Sequence, residues 1–256
     1  MTNINNMIDR TCAILDYLYK SDQPIGVSKL SSSLDFPKAT VFRILTTLEK
    51  RGIVEKQHNT DKYKLGMVLI KYGAKVSSNL FLVDIAKPII DNLSDKIGES
   101  ISLSIEHQEY LLNIYRSSND SSILASRLIP ISALNCSAAG KFFLTTKSKE
   151  ALIKYFASES CEKRTTNSII DYYIFEKEKI CILNKKLSYD NEEYEYGLFC
   201  ISSPIYYKGK IVAAISISGP KTRFELKGLE MMESSLKLAC ETVSNLADYL
   251  EPDCLL

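Results

Sequence analysis

Apolar residues recur three and four apart through the first quarter of the chain and two apart in several later runs, so helices lead and strands follow. Over residues 4–20, Ile4, Ile8, Cys12, Leu15, Leu18 and Tyr19 fall at helical spacing between polar Asp9, Arg10 and Asp16. SDQPIG breaks that helix, with Pro24 and Gly26 as punctuation. VSKLSSSL predicts a second, short helix with Val27, Leu30 and Leu34 inward. After the tight turn DF, Pro37 suits the first position of a third helix, where its missing N–H costs nothing, and Gly52 suits the C′ position that ends it. The inner side of this helix is Val41, Ile44, Leu45 and Leu48. Ala39, Arg43, Thr46 and Lys50 face the other way, with Thr40, Phe42 and Thr47 on the flanks. IVEKQHNTDKYKLG then alternates on both sides of the turn-prone HNTD, which predicts a two-stranded wing with Asn59, Thr60 and Lys62 near its tip.

A helix, a short helix, a tight turn and a helix with a small, polar and basic outer face form the layout of a helix-turn-helix. Small residues at the start of the third helix let its backbone approach base edges, and Arg43 can make a bidentate contact to guanine. Lys38 and Thr40 suit phosphates at the positive end of the helix. Phe42 suits either a thymine methyl or packing against the wing. A three-helix domain with solvated charges fits the same spacing.

Residues 67–98 have a helical period with a break near SSN, and no Gly/Pro-rich linker, so the connection reads as stiff. ESISLSIEH and EYLLNIYRS predict a hairpin, and SILASRL a further strand. AAGKFFLTT, SKEALIKYFA and the longer DYYIFEKEKICILNKKLSY read as helices. GLFCISSPIYY and KIVAAISISG are two more strands joined by the turn KGK. A last helix runs from about Phe224 to Tyr249, apolar at Leu226, Leu229, Met232, Leu236, Leu238, Ala239, Val243 and Leu246. The fold class is α+β: a separate N-terminal helical domain, then one antiparallel sheet with helices against it.

Composition narrows the function. Through Gly66 the basic residues outnumber the acidic ones by ten to seven, although the whole chain carries only +1, so the first quarter is mildly positive and the rest mildly negative. That asymmetry agrees with a nucleic-acid face at the N-terminus. Seven cysteines, an odd number with no CxxC pair, argue against a structural zinc site. The N-terminus lacks the apolar core of a signal peptide, and the longest apolar run, IVAAISI, is too short to span a bilayer. These features predict a cytoplasmic protein with reduced thiols, no membrane association, no metal and no cofactor.

LNCSAAGKFFL, residues Leu134–Leu144, is the stretch that most resembles a site. A phosphate loop requires Gly where Asn135 stands and Ser or Thr where Phe142 stands, so it is rejected. A nucleophilic Cys136 requires a histidine, and neither His58 nor His107 is singled out as its partner. Two readings remain open. The bare amides of Ala138 and Ala139 at a helix start would attract a small carboxylate, or the small residues merely allow close packing of helix on sheet.

Five segments in order and spacing, FPKATVFRILTTLEKRGIV, YKLG, LNCSAAGKFFL, YDNEEYEYGLFCISSPI and GKIVAAISISGPKTRF, resemble the IclR family of bacterial transcription regulators over nearly the full chain, from Ile8 to about Leu246. The resemblance implies a winged helix-turn-helix over residues 1–66, a linker helix over 67–80 and a GAF-like effector-binding domain over 81–256. It implies a double-stranded DNA operator contacted by Lys38, Ala39, Thr40, Phe42, Arg43, Thr46, Asn59 and Lys62. It implies a small-molecule effector, commonly an organic acid, held by the Ala138 and Ala139 amides with Asp190, Cys200, Ser216 and Ser218. It also implies homodimers that pair into tetramers, and no enzyme activity. Strand geometry agrees with part of this: Ser216 and Ser218 share a face of one strand, and Cys200 and Ser202 a face of the other. Asp190 repels an acid unless the ligand offers it a donor, so it is expected to accept from a ligand hydroxyl or a bridging water. The chain departs from the family at Asn135, often His, at Phe142 and Phe143, often small, and at Ala39, often Ser, departures that bear on pocket shape and operator sequence.

Overall fold

Helix α1 (Asn6–Tyr19) begins at Asn5, whose side chain accepts from the Met7 and Ile8 amides and so satisfies two of the donors that a helix start leaves unpaired. In this computed structural model, which describes residues 5–77, 80–117 and 131–250, α1 packs through Ile14 and Leu18. Ile8, Cys12 and Tyr19, expected inward, are exposed, and Ile4 lies outside the described residues. The period locates the helix, but two of its stripes are comparably apolar, and the neighbouring helices decide which one is covered. Strand β1 (Ile25–Gly26) leads into α2 (Val27–Leu34), which buries Leu30 and ends at Asp35 in a left-handed conformation, φ 53°. Helix α3 (Lys38–Lys50) starts one residue later than expected, with Pro37 as its N-cap, and buries Val41, Ile44, Leu45 and Leu48. Gly52 closes it at φ 71°, a conformation that a side chain resists. Strands β2 (Val54–Lys56) and β3 (Lys62–Leu65) form the wing, and β1, absent from the sequence reading, pairs on the far side of β3. Helix α4 (Val68–Ser77) follows.

The chain divides into two compact units, Met1–Asn79 and Leu80–Leu256. The second opens with α5 (Phe81–Ile97); SSN lies partly outside the described residues, and SILASRL wholly so. Its sheet has six strands: β4 (Ser100–His107), β5 (Tyr110–Arg116), β6 (Ile131–Ala133), β7 (Ser188–Asn191), β8 (Leu198–Tyr207) and β9 (Lys210–Pro220). Their spatial order is β6-β5-β4-β9-β8-β7, with antiparallel pairing throughout. One face carries Ile101, Leu103, Ile201, Ile205, Ile215 and Ile217 against α5 and α10 (Leu229–Ala247). The other face is covered by α6 (Ala138–Thr145), onto which α7 (Lys149–Phe156) and α8 (Tyr172–Lys185) pack.

Two expected helices are shorter in the structure. The one expected over DYYIFEKEKICILNKKLSY stops at Lys185, because Lys186 turns left-handed at φ 52°, and SYDN pairs with β8 as the edge strand β7. The C-terminal helix is split at Gly228 into α9 (Lys221–Lys227) and α10. Leu226, Leu229, Leu238 and Leu246 are exposed, while Met232, Leu236, Ala239, Cys240, Val243 and Ala247 form the buried stripe of α10. Among the described residues no helix is long and apolar enough to cross a membrane, and no cluster of His, Cys, Asp and Glu could hold a metal ion.

Candidate functional site

The small residues of LNCSAAGKFFL serve two purposes. Gly140 sits so close to the preceding loop that a Cβ there would lie 2.5 Å from the Leu134 Cα and carbonyl oxygen. Ser137 caps α6 by accepting from the Gly140 amide, which leaves the Ala138 and Ala139 amides without an acceptor among the described residues. Asn135 fixes the loop before the helix. Its Nδ2 donates to the carbonyls of Glu162 and Ile169, and its Oδ1 accepts from the Glu162 amide and the Tyr155 hydroxyl. Phe142 and Phe143 belong to the apolar core between α6, α7 and α8 and do not line the cavity that α6 covers.

That cavity holds about 80 Å³ between the start of α6 and the sheet. Its floor follows from register. Asp190, Cys200, Ser218 and Ser100 lie side by side across β7, β8, β9 and β4, and Ser188, Ser202, Ser216 and Ser102 form the next row. A sheet face buried under a helix normally carries apolar side chains; here it carries hydroxyls. The Ser216 hydroxyl donates to Ser202 at 3.1 Å, which donates on to the Ile215 carbonyl at 2.9 Å. Of the six positions named from the sequence, Ala138, Asp190, Cys200, Ser216 and Ser218 line this one cavity, whereas the Ala139 methyl points into the core.

Sequence reasoning missed Ser100, Ser102, Ser104 and Arg116, which also line the cavity. Arg116 ends β5 and donates from Nε to the Ser100 hydroxyl at 2.7 Å. The signal was present in ESISLSIEH. Serines at every second position of a strand make a polar face, and the same pattern recurs in ISISG, to which this strand pairs.

A buried charge cluster ties the cavity walls together. Lys141, fully buried one turn into α6, contacts Glu193 at 2.6 Å and Glu178 of α8 at 2.7 Å. Burial lowers the lysine's proton affinity, but the two carboxylates more than offset this and raise it. Glu193 in turn donates its amide to Asp190 Oδ1 at 2.7 Å, and the Tyr194 amide joins at 3.2 Å. Burial pushes the Asp190 carboxyl up to about 6 against these hydrogen bonds and the charge of Lys141. It pushes Glu193, whose Oε2 has no partner among the described residues, up to about 7. Cys136 donates its thiol to the Glu162 carbonyl at 3.4 Å, and burial moves its pKa up to about 12. Burial likewise raises Cys200 well above the ordinary thiol value. Both stay protonated, and neither His58 nor His107 lines the cavity, so the sulfur atoms are not poised for nucleophilic chemistry.

In the first unit, Lys38, Ala39 and Phe42 of α3 face Lys56, Thr60 and Lys62 of the wing across an open groove. Phe42 is 54 % exposed, so the wing flanks it without burying it. Arg43 and Asn59 are exposed, while Thr40 and Thr46 are half-buried. Lys56, not singled out from the sequence, pairs with Asp61 at 2.7 Å on the wing.

Comparison with known proteins agrees with both halves of the chain. Residues 7–58 match the IclR helix-turn-helix domain, and residues 74–245 match the Bacterial transcriptional regulator IclR C-terminal family. The HTH-type transcriptional repressor AllR of Escherichia coli K12 is 31 % identical over 222 residues, 84 % of this chain and 80 % of that protein. The crystal structure of Thermotoga maritima IclR superposes with a TM-score of 0.70 at 27 % identity, covering 95 % of this chain and 99 % of that one. An IclR homologue from Microbacterium hydrocarbonoxydans complexed with 4-hydroxybenzoate has the same fold, with a TM-score of 0.77 at 19 % identity over 94 % of this chain and 98 % of that one. A winged helix, a hydroxyl-floored cavity under α6 and family matches over both units lead to one conclusion: the chain belongs to the IclR family of DNA-binding transcriptional regulators and is not an enzyme.

Proposed function

We propose that this regulator is a repressor whose hold on its operator is set by a small organic acid bound in the cavity beneath α6. The observation that carries this reading is the buried hydroxyl floor beside the start of α6, whose first amides have no acceptor among the described residues, an arrangement that costs stability unless water or a ligand satisfies it. Its 80 Å³ accommodates on the order of half a dozen waters, or an aliphatic acid of similar bulk. The 4-hydroxybenzoate held by the relative is larger than that. Ala138 and Ala139 offer amides, Asp190 an acceptor, and Cys200, Ser216 and Ser218 orienting polar groups.

The operator is read by α3. Arg43 takes a base edge, Ala39 allows close approach, Phe42 and Thr46 flank it, and Lys38, Thr40, Asn59 and Lys62 engage the backbone. Two copies present two winged helices to a two-fold operator. The exposed Ile70 and Val76 of α4, with Met67 just before it, support a homodimer, which pairs further into a dimer of dimers in the cytoplasm. The effector acts by favouring one arrangement of the winged helices over another, with α4 as the lever.

Gel shift with DNA from the promoter of its own operon, with and without a panel of small acids, tests the reading. Salt-sensitive, sequence-specific binding that at least one acid alters is expected, together with a raised melting temperature for the same acid. A protein that binds its operator but is indifferent to every acid removes the effector assignment.

A further inference from the structure

The groups lining the cavity differ in kind from one end to the other. At the β7–β8 end, Ala138 packs against Leu198 and Cys200, which brings the start of α6 beside the paired Cys200 and Asp190. That end both donates, through the α6 amides, and accepts, through the Asp190 carboxylate. A hydroxyl or a primary amide satisfies both, since it carries lone pairs and a proton to give. A carboxylate there satisfies the amides but meets the charge of Asp190 at close quarters, in a site dry enough to make that repulsion costly.

The β4–β5 end carries a cationic side chain instead. Arg116 lines the cavity, and its Nε holds the hydroxyl of Ser100, which lies in the same row as Ser218, Cys200 and Asp190. The guanidinium makes further contacts. Its planar fork of five donors nevertheless serves several acceptors at once, and its geometry matches a carboxylate. Cys200 and Ser100 are two strands apart, roughly 10 Å from backbone to backbone at the usual strand spacing. Once side chains fill part of that span, the 80 Å³ left suits an acid of about three or four carbons.

We infer that Arg116 selects the effector: it takes the carboxylate of a short monocarboxylic acid, while the Ala138 amide and Asp190 together read a hydroxyl or amide at the acid's other end. This rests on the effector-site reading above and reverses the orientation expected from the family resemblance, in which the α6 amides hold the carboxylate. A dicarboxylate fails at Asp190, and a simple fatty acid leaves Asp190 and the amides unanswered.

Four three-carbon acids differ only at the far end: propionate, 3-hydroxypropionate, malonamate and malonate. Calorimetry on the full chain is expected to show 3-hydroxypropionate or malonamate binding at least ten-fold tighter than propionate and malonate. Arg116→Gln is expected to weaken the preferred acid by ten-fold or more, with Arg116→Lys intermediate because it keeps the charge and loses the fork. Asp190→Asn retains the oxygen that accepts from Glu193 and Tyr194, and is expected to narrow the gap between the hydroxy acid and malonate. Equal binding of propionate and 3-hydroxypropionate, or Arg116→Gln and Arg116→Lys proteins that bind like the wild type, overturns the assignment of Arg116 and leaves the effector site standing. Binding of none of the four also overturns it, and the wider acid panel then decides whether the effector site falls as well.

Discussion

Gly140 and the acidic pair beside Lys141 show how single residues hold this site in shape. The Leu134 backbone fills the space where a Gly140 side chain would go, so Gly140→Ala has to push α6 off the sheet. A loss of about 2 kcal/mol or more in denaturant unfolding of the second unit is expected, along with loss of effector binding. Unchanged stability would show that α6 can shift freely. Asp190 and Glu193 titrate the other way from most carboxylates. Both hold protons more tightly when folded, at about 6 and 7 against ordinary values of 3.8 and 4.5. The folded state therefore binds more protons than the unfolded one between about pH 4 and pH 7, and their contribution to stability is full below that window and lost as pH rises through it. Relative to Glu193→Gln, the wild type is expected to lose on the order of 2 kcal/mol across that range, read from denaturant midpoints at successive pH values. A constant difference between the two proteins would refute the assignment. The sequence shows the small residues around Gly140 but not the clash that requires them, because Leu134 reaches Gly140 only once the loop has folded back.

At the scale of elements, α3 was legible nearly to the residue. Its four inward positions follow from the helical period alone, and all four are buried. Arg43 remains exposed on the opposite side, so on the proposed reading Arg43→Ala is expected to weaken operator binding about ten- to a hundred-fold and to relax its sequence preference while leaving the fold intact. Equal affinity of variant and wild type for the operator in gel shift would move the recognition surface elsewhere. Helix α1 and the C-terminal helices were harder to read. Their periods were clear, but Ile8, Cys12, Leu226 and Leu238 turn to solvent because the partner elements cover an adjacent stripe. Strand β7 escaped notice because SYDN has no alternation of its own and exists as a strand only through its pairing with β8.

For the whole molecule, the two units form a regulator only if operator and effector bias the same conformational equilibrium. The coupling has to be reciprocal. If the effector changes operator affinity by a given factor, saturating operator DNA must change effector affinity by the same factor, typically 5- to 150-fold. Calorimetric titration of the effector with and without operator measures this. Unequal factors at equilibrium would mean a third species, such as a change in oligomeric state, takes part. The sequence by itself determined most helices and strands, and its family resemblance gave the division into a DNA-reading and an effector-binding half and five of the cavity-lining positions. Period and motif are local properties of the chain, and they survive without knowledge of its folded path. Only the tertiary structure brought the serine faces of β4 and β9 into register, carried the Arg116 side chain to Ser100 at the far end of the row from Asp190, and buried Lys141 between two carboxylates. Those pairings join residues as far apart as Ser100 and Ser218, and chain closure over such distances leaves no local trace in the pattern of side chains.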